Sequence, residues 1–120
     1  MKFIHCADLH LDSALDSRLS KEKARLRRRE LLDTFERLAE RAREEKVTAV
    51  LIAGDIFDEE KVLGSAKRHF LKIVARFPEV DFLCLSGNHD RSLSEEGNLP
   101  ANLKTFEDRW TKYSYGEVDI

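Results

Sequence analysis

The chain has 120 residues and a formal net charge of -2. That length supports one hydrophobic core and one domain, and the charge balance excludes a globally basic polyanion binder while leaving local basic patches open. No apolar run reaches membrane-spanning length, and the opening "MKFIHCADLHL" lacks the long apolar stretch and small-residue cleavage site of a secretory leader.

In chain order, residues 2–7 read as a first strand, 47–54 as a second and 80–87 as a third. The second and third are nearly continuous apolar runs, the pattern of parallel strands covered on both faces. Cys6 and Cys84 sit inside two of these runs, as buried free thiols of a reducing cytoplasm do, and they are too far apart in sequence for a zinc framework.

Between the strands lie two helical patterns. Ser20 is a candidate N-cap for a long helix ending near Glu45, with Leu31, Phe35, Leu38 and Ala42 as its apolar stripe. A second helix spans about 63–76, with Leu63, Ala66, Phe70, Ile73 and Phe77 on one face and Pro78 as its stop. Strand, helix, strand, helix, strand implies an α/β fold with two right-handed crossovers and a mostly parallel βαβαβ core.

After Asp90 the polar, aperiodic stretch 91–102 reads as a loop. Leu103, Phe106 and Trp110 suggest one or two helical turns, with Trp110 packed into the last. "WTKYSYGEVDI" then reads as a strand, a turn at Gly116 and the start of another strand.

Each of the three strands ends in a polar cluster: "ADLH" with Asp8 and His10, "GDIFD" with Asp55 and Asp58, and "GNHD" with Asn88, His89 and Asp90. In an open parallel sheet, ligands bind outside the carboxyl ends of the strands, so all three clusters fall on one edge. Carboxylates beside imidazole and a neutral amide oxygen suit divalent metals such as Mn2+, Fe2+ or Zn2+. Asp8 and His10 are two apart, so on a continuing strand they share a face. Two carboxylates in a tight cleft call for a cation, and a two-metal centre answers that need while stabilising a phosphoryl transition state.

In their order and their position after strands, "ADLH", "GDIFD" and "GNHD" resemble the calcineurin-like metallophosphoesterases. The longer strings "FIHCADLHLDSAL" and "LIAGDIFDEE" look most like the SbcD-type DNA repair exonuclease branch. The match runs from Met1 to about Asp90. The resemblance implies a layered metallophosphoesterase fold and two divalent metals, with Mn2+ the usual one in that branch. It implies Asp8 and His10 on the first metal, Asp55 bridging both and Asn88 on the second. His89 would stabilise or protonate the leaving oxygen, with Asp90 orienting it. Asp58 and His5 would brace the ligands from behind, although His5 on its own reads equally as a satisfied core histidine. His69 reads as a surface residue of the second helix.

The family completes its metals with further histidines downstream, one alone and a later pair in G-H-x-H. Here the four histidines are His5, His10, His69 and His89, so the second metal keeps only Asp55 and Asn88. The reading is therefore that residues 1–120 form the N-terminal part of a metallophosphoesterase domain, truncated before the second half of the sandwich, with weak metal binding and poor catalysis alone. The competing possibility is a short protein that has lost catalysis.

Arg18, Lys21, Lys23, Arg25, Arg27, Arg28 and Arg29 form a basic run broken by Glu22 among the acids. Arg18, Lys21, Arg25 and Arg28 fall on one helical face, which either contacts a DNA backbone or is an ordinary solvated face. No aromatics interleave with it, so it offers no stacking platform for single strands. The leading expectation is a DNA phosphodiester hydrolase of repair-exonuclease type, in which metal-activated hydroxide attacks the phosphodiester. The resemblance adds a possible ATPase partner subunit, and the free thiols and the lack of a spanning run lead to the expectation of a cytoplasmic location with no membrane role. The alternatives are a phosphatase or small-molecule phosphodiesterase on the same fold, and a non-catalytic metal- or DNA-binding module. A nucleotide binder of the glycine-loop type is disfavoured, because no glycine-rich loop follows the first strand.

Overall fold

The computed structural model describes residues 1–15, 19–58, 64–85, 93, 98–106 and 109–120. Strands β1 (Phe3–Cys6), β2 (Ala49–Ala53), β3 (Asp81–Leu85) and β4 (Leu103–Thr105) form one parallel sheet in the order β1-β2-β3-β4. Helix α1 (Lys21–Glu44) connects β1 to β2, and α2 (Gly64–Ala75) lies between β2 and β3. A strand order that steps in one direction, with right-handed crossovers, leaves both helices on the same face of the sheet.

Helix α1 starts where the sequence places it. The Ser20 side chain accepts from the Lys23 amide at 3.3 Å and so satisfies one of the orphan donors of the first turn. Its end is built by Lys46, which takes a left-handed conformation (φ 54°). Lys46 N–H then reaches Arg43 O at 3.0 Å and Val47 N–H reaches Ala42 O at 2.8 Å, the paired bonds of a Schellman cap.

The buried stripe of α1 is wider than the periodicity suggests. Ala24, Leu32, Phe35, Ala39 and Ala42 are buried, whereas Leu31 and Leu38 are only partly buried against the core. On α2, Ala66, Phe70, Ile73 and Val74 are buried together with Lys67, and Leu63 lies outside the described residues. The two helices meet over the sheet through aromatic rings. Phe35 stacks on Phe70 at 5.1 Å between centroids and tilts against Phe82 of β3 at 5.9 Å, while Phe57 meets Phe70 edge-on at 5.8 Å. Such contacts add about 0.5–1.5 kcal/mol each beyond area burial.

The segment read as helical turns is instead β4. Leu103, Lys104 and Thr105 pair in register with Phe82, Leu83 and Cys84. Trp110 is fully exposed rather than packed, and Phe106 is half-buried against Tyr113 at 5.2 Å. The buried Asn102 prepares this strand. Its Nδ2 protons are shared among Val74 O, Phe77 O and Val80 O at 2.9, 2.9 and 3.0 Å, and its carbonyl accepts from Phe82 N–H at 2.7 Å. The side chain thus ties the end of α2 to the turn after it, and the main-chain carbonyl of the same residue starts the pairing into β4.

The expectation that both faces of the sheet are covered does not hold for the described residues. The helices cover one face. On the other, a hairpin of β5 (Ser114–Tyr115) and β6 (Val118–Asp119) covers the end near the strand starts. Gly116 supplies its turn with φ 58°, at the first central position of a two-residue loop. Tyr115 Oη donates to Asp81 Oδ2 at 2.7 Å, Tyr113 Oη donates to Thr105 O at 2.6 Å, and Phe3 meets Tyr115 edge-on at 6.0 Å. Beyond the hairpin the face is an open depression of about 690 Å³, lined mainly by His5, Leu51, Leu83, Leu85, Phe106 and Trp110. Leu85, expected to be buried, is 52% exposed there, and His5, expected as a core or bracing histidine, is exposed on this face. Cys84 is buried and Cys6 half-buried, and burial pushes the Cys6 thiol up, which keeps it protonated and unreactive.

Two outcomes follow from this packing. Asn102→Ala removes three buried hydrogen bonds, takes from Val80 O its side-chain donor and lowers unfolding free energy by roughly 1–3 kcal/mol, read as a lower urea midpoint at unchanged slope. Burial, and then the hydrogen bond and charge of Asp81, push the Tyr115 phenol above its ordinary range. Its contribution is therefore complete below the unfolded tyrosine value of about 10 and is lost as pH rises through the higher folded value. Urea midpoints taken at about pH 8 and about pH 11 should fall more steeply in the parent chain than in Tyr115→Phe.

Candidate metal centre

β1 and β2 do not stop pairing when their strand geometry ends. Asp8 N–H points to Gly54 O at 3.4 Å, His10 N–H donates to Asp55 O at 3.1 Å, and Leu11 N–H donates to Ile56 O at 2.9 Å. The two strand ends are tied together by their main chains. Leu11, Ile56 and Phe57 anchor them beneath, each buried in the core.

The residues above these anchors have an unusual backbone. Asp8, His10 and Asp55 all have positive φ, at 56°, 46° and 51°, and Gly54 between the strands has φ 80°. Asp and His tolerate this region better than most residues, yet non-glycine residues there cost of order 1–3 kcal/mol each. Asp8 and His10 therefore do not share a face of a continuing strand, as their spacing suggested. They are brought together by a kinked tail beyond β1.

The result is a compact donor set. One ligand atom each from Asp8, His10 and Asp55 lies within 4.8 Å of the others. Asp8 is exposed, while His10 and Asp55 are partly buried, so the group opens to solvent on one side. His10 Nε2 is 3.8 Å from Asp8 Oδ1. On the other side of the ring, Nδ1 lies in close contact with Asp58 Oδ1. The two atoms are not aligned as a hydrogen bond, and the buried Nδ1 has no hydrogen-bond partner among the described residues. A carboxylate behind one ring nitrogen, with the other nitrogen facing two more carboxylates, is the chemistry of a histidine held for metal binding. The donor set thus fits a divalent cation.

Asp58 is itself positioned by a residue that the sequence reading passed over. Asp12 is buried, and its Oδ1 accepts from the Asp58 amide at 2.5 Å. Asp12 stands inside "ADLHLDS", next to the quoted ligands, and only its burial distinguishes it from ordinary loop polarity. Asn88, His89 and Asp90 lie outside the described residues, as does Arg18. His5 is not part of the donor group.

A family model described as calcineurin-like phosphoesterase matches residues 1–119. The chain belongs to the calcineurin-like phosphoesterase family. Among the relatives of this phosphoesterase is the DNA double-strand break repair protein Mre11 of Sulfolobus acidocaldarius, 31% identical over 105 residues, which span 86% of this chain and 26% of that protein. The protein of the same name from Methanopyrus kandleri is 34% identical over 92 residues, spanning 75% of this chain and 19% of the relative. That of Saccharolobus solfataricus is 28% identical over 105 residues, with 86% and 26% coverage. The chain therefore spans about a quarter or less of the length of these relatives. A parallel α/β sheet with a carboxylate–imidazole group at its strand ends is in keeping with a family that uses divalent metals.

If Asp55 is a ligand and Asp58 holds His10 in place, calorimetric titration with Mn2+ separates their roles. Asp55→Asn removes detectable binding, and Asp58→Asn weakens it by about 10- to 100-fold. An Asp55→Asn chain that binds Mn2+ like its parent would overturn the assignment.

Proposed function

We propose that this phosphoesterase domain hydrolyses DNA phosphodiesters with two divalent metals, Mn2+ foremost. The observation that carries the reading is the meeting of Asp8, His10 and Asp55 at two adjoining strand ends. The choice of DNA is supported by relatives named as double-strand break repair proteins. Asp8 and His10 would hold one ion, Asp55 would bridge, and Asn88 would supply an amide oxygen to the second. Such ions, when bound, supply Lewis acidity toward phosphoryl oxygens and lower the pKa of coordinated water toward neutrality.

The remaining work falls to the chain. His89 would hold a proton for the departing oxygen, and Asp90 would fix the orientation of its ring. Asp58, set by Asp12, would keep the His10 ring turned so that Nε2 faces the metal. An ATPase subunit would be the partner, as in the SbcD-type branch. The four histidines of this sequence leave the second ion few protein ligands, so slow turnover is expected of this chain.

The test is Mn2+-dependent cleavage of end-labelled duplex DNA beside cyclic nucleotides and a phosphopeptide, with Asp55→Asn as control. Slow DNA cleavage that the control abolishes supports the proposal. Cleavage of the small substrates alone would move the chain to another branch of the same fold. Hydrolysis of none of them would leave either an N-terminal part that needs further histidine ligands or a non-catalytic binding module.

A further inference from the structure

We propose that the seam between α1 and α2, with the adjoining face of α2, is a docking groove for the phosphate backbone of duplex nucleic acid, separate from the metal centre. A cleft of about 340 Å³ lies in this seam, and a second of about 400 Å³ lies on α2 itself and shares Ser65 and His69 with the first. Arg25, Arg28 and Arg29 of α1 line the first cleft, Arg68 and Lys72 of α2 line the second, and His69 lines both. In a chain of net charge -2, this is a concentration of cations on one surface.

The cations differ in what holds them. At the far end of the seam Arg76 is paired with Glu36 across the two helices, which neutralises that end. Arg27 is paired with Glu30 at 2.6 Å outside the groove. Arg28 donates to Ala14 O at 3.0 Å and so braces α1 against the segment that follows the metal ligands. Arg25, Arg29, Arg68 and Lys72 form no ion pair among the described residues. On each helix the free pair is four residues apart, or about 6 Å along the axis, so their charges repeat along the seam. Guanidinium groups donate to phosphate oxygens in a bidentate fork, which suits a phosphodiester backbone.

The position of the groove indicates what passes through it. Leu11 lines its upper end and directly follows His10 in the chain. A backbone lying along the seam therefore leads to the donor group at the strand ends. That direction rests on the proposed hydrolysis of DNA, whereas the charge of the groove does not. No aromatic side chain lines the two clefts, so the contacts are to phosphates without base stacking, and a duplex is held without sequence preference.

Binding of a short fluorescent duplex to the full chain, followed by anisotropy in EDTA across a salt series, reads the groove without hydrolysis. Replacing Arg25, Arg29, Arg68 and Lys72 together by Gln should lower the magnitude of the log K against log salt slope by about 3 to 4, because each lost phosphate contact removes about 0.9. Far-UV circular dichroism checks that the variant is folded. A second variant neutralises Lys2, Arg41, Lys46 and Lys112, which lie outside the clefts, and should leave the slope nearly unchanged. Equal losses in both variants, or an unchanged slope in the first, would overturn the groove. Asp55→Asn in EDTA should bind like the parent, so failure of the hydrolytic reading and failure of the groove remain distinguishable.

Discussion

The main-chain bonds that carry the β1–β2 pairing beyond the strand ends are the constraint on which the site depends. His10 N–H to Asp55 O and Leu11 N–H to Ile56 O hold two tails that would otherwise be free loops. With these bonds made, the side chains of Asp8, His10 and Asp55 have little choice of position. Left-handed backbone at all three positions is unfavourable locally and persists only if the surroundings over-determine it. The surroundings here are identifiable: the buried side chains of Leu11, Ile56 and Phe57, and the carboxylate of Asp12 on the Asp58 amide. Burial below supplies the free energy that strain and carboxylate repulsion consume above.

The sheet has two unlike faces, and their chemistry differs accordingly. Under the helices, aromatic rings from α1, α2 and β3 interlock, and Asn102 adds a second donor to Val74 O and Phe77 O and bonds Val80 O. Across the sheet, the hairpin is held largely by polar anchors: Tyr115 on Asp81 and Tyr113 on Thr105 O, with Lys104 of β4, itself 3.1 Å from Asp81 Oδ2, over both tyrosine rings. Asp81 therefore meets a phenol and an ammonium together, which keeps its partly buried charge compensated. The depression beyond the hairpin leaves Leu85 and Trp110 in solvent, an unusual exposure of large apolar side chains in a group.

How much of this was legible beforehand depended on whether the signal was local. Alternating strands and helices, the Ser20 cap and the Gly116 turn rest on nearby residues and were readable. β4 was not, because Leu103, Phe106 and Trp110 are spaced as on a helix, while the pairing that makes the segment a strand comes from Phe82 and Cys84, far away in the chain. Leu85 and His5 were misplaced because an apolar run does not reveal whether its second face is covered. At the site, the residue types were legible and the geometry was not. The spacing of Asp8 and His10 suggested a straight strand, whereas positive φ at both positions brings them together. Asp12 left no signal beyond its neighbourhood, since burial of one carboxylate among several cannot be read from composition.

The charge distribution follows from the same architecture. Right-handed crossovers bring the start of each helix back toward the edge where the preceding strand ended. The carboxylates of the strand tails and the start of each helix thus share one edge of the sheet, and the cations of α1 and α2 run on from there along the helices. A surface with acids gathered at one point and cations in a line beside it is poorly suited to a compact anion. The carboxylates alone would repel such an ion, and the cations lie too far apart to enclose it. On the proposed reading an extended polyanion would meet both conditions: it would follow the line of cations, and a divalent metal would join one of its phosphates to the acids. Extension and charge would then count for more than the identity of any base.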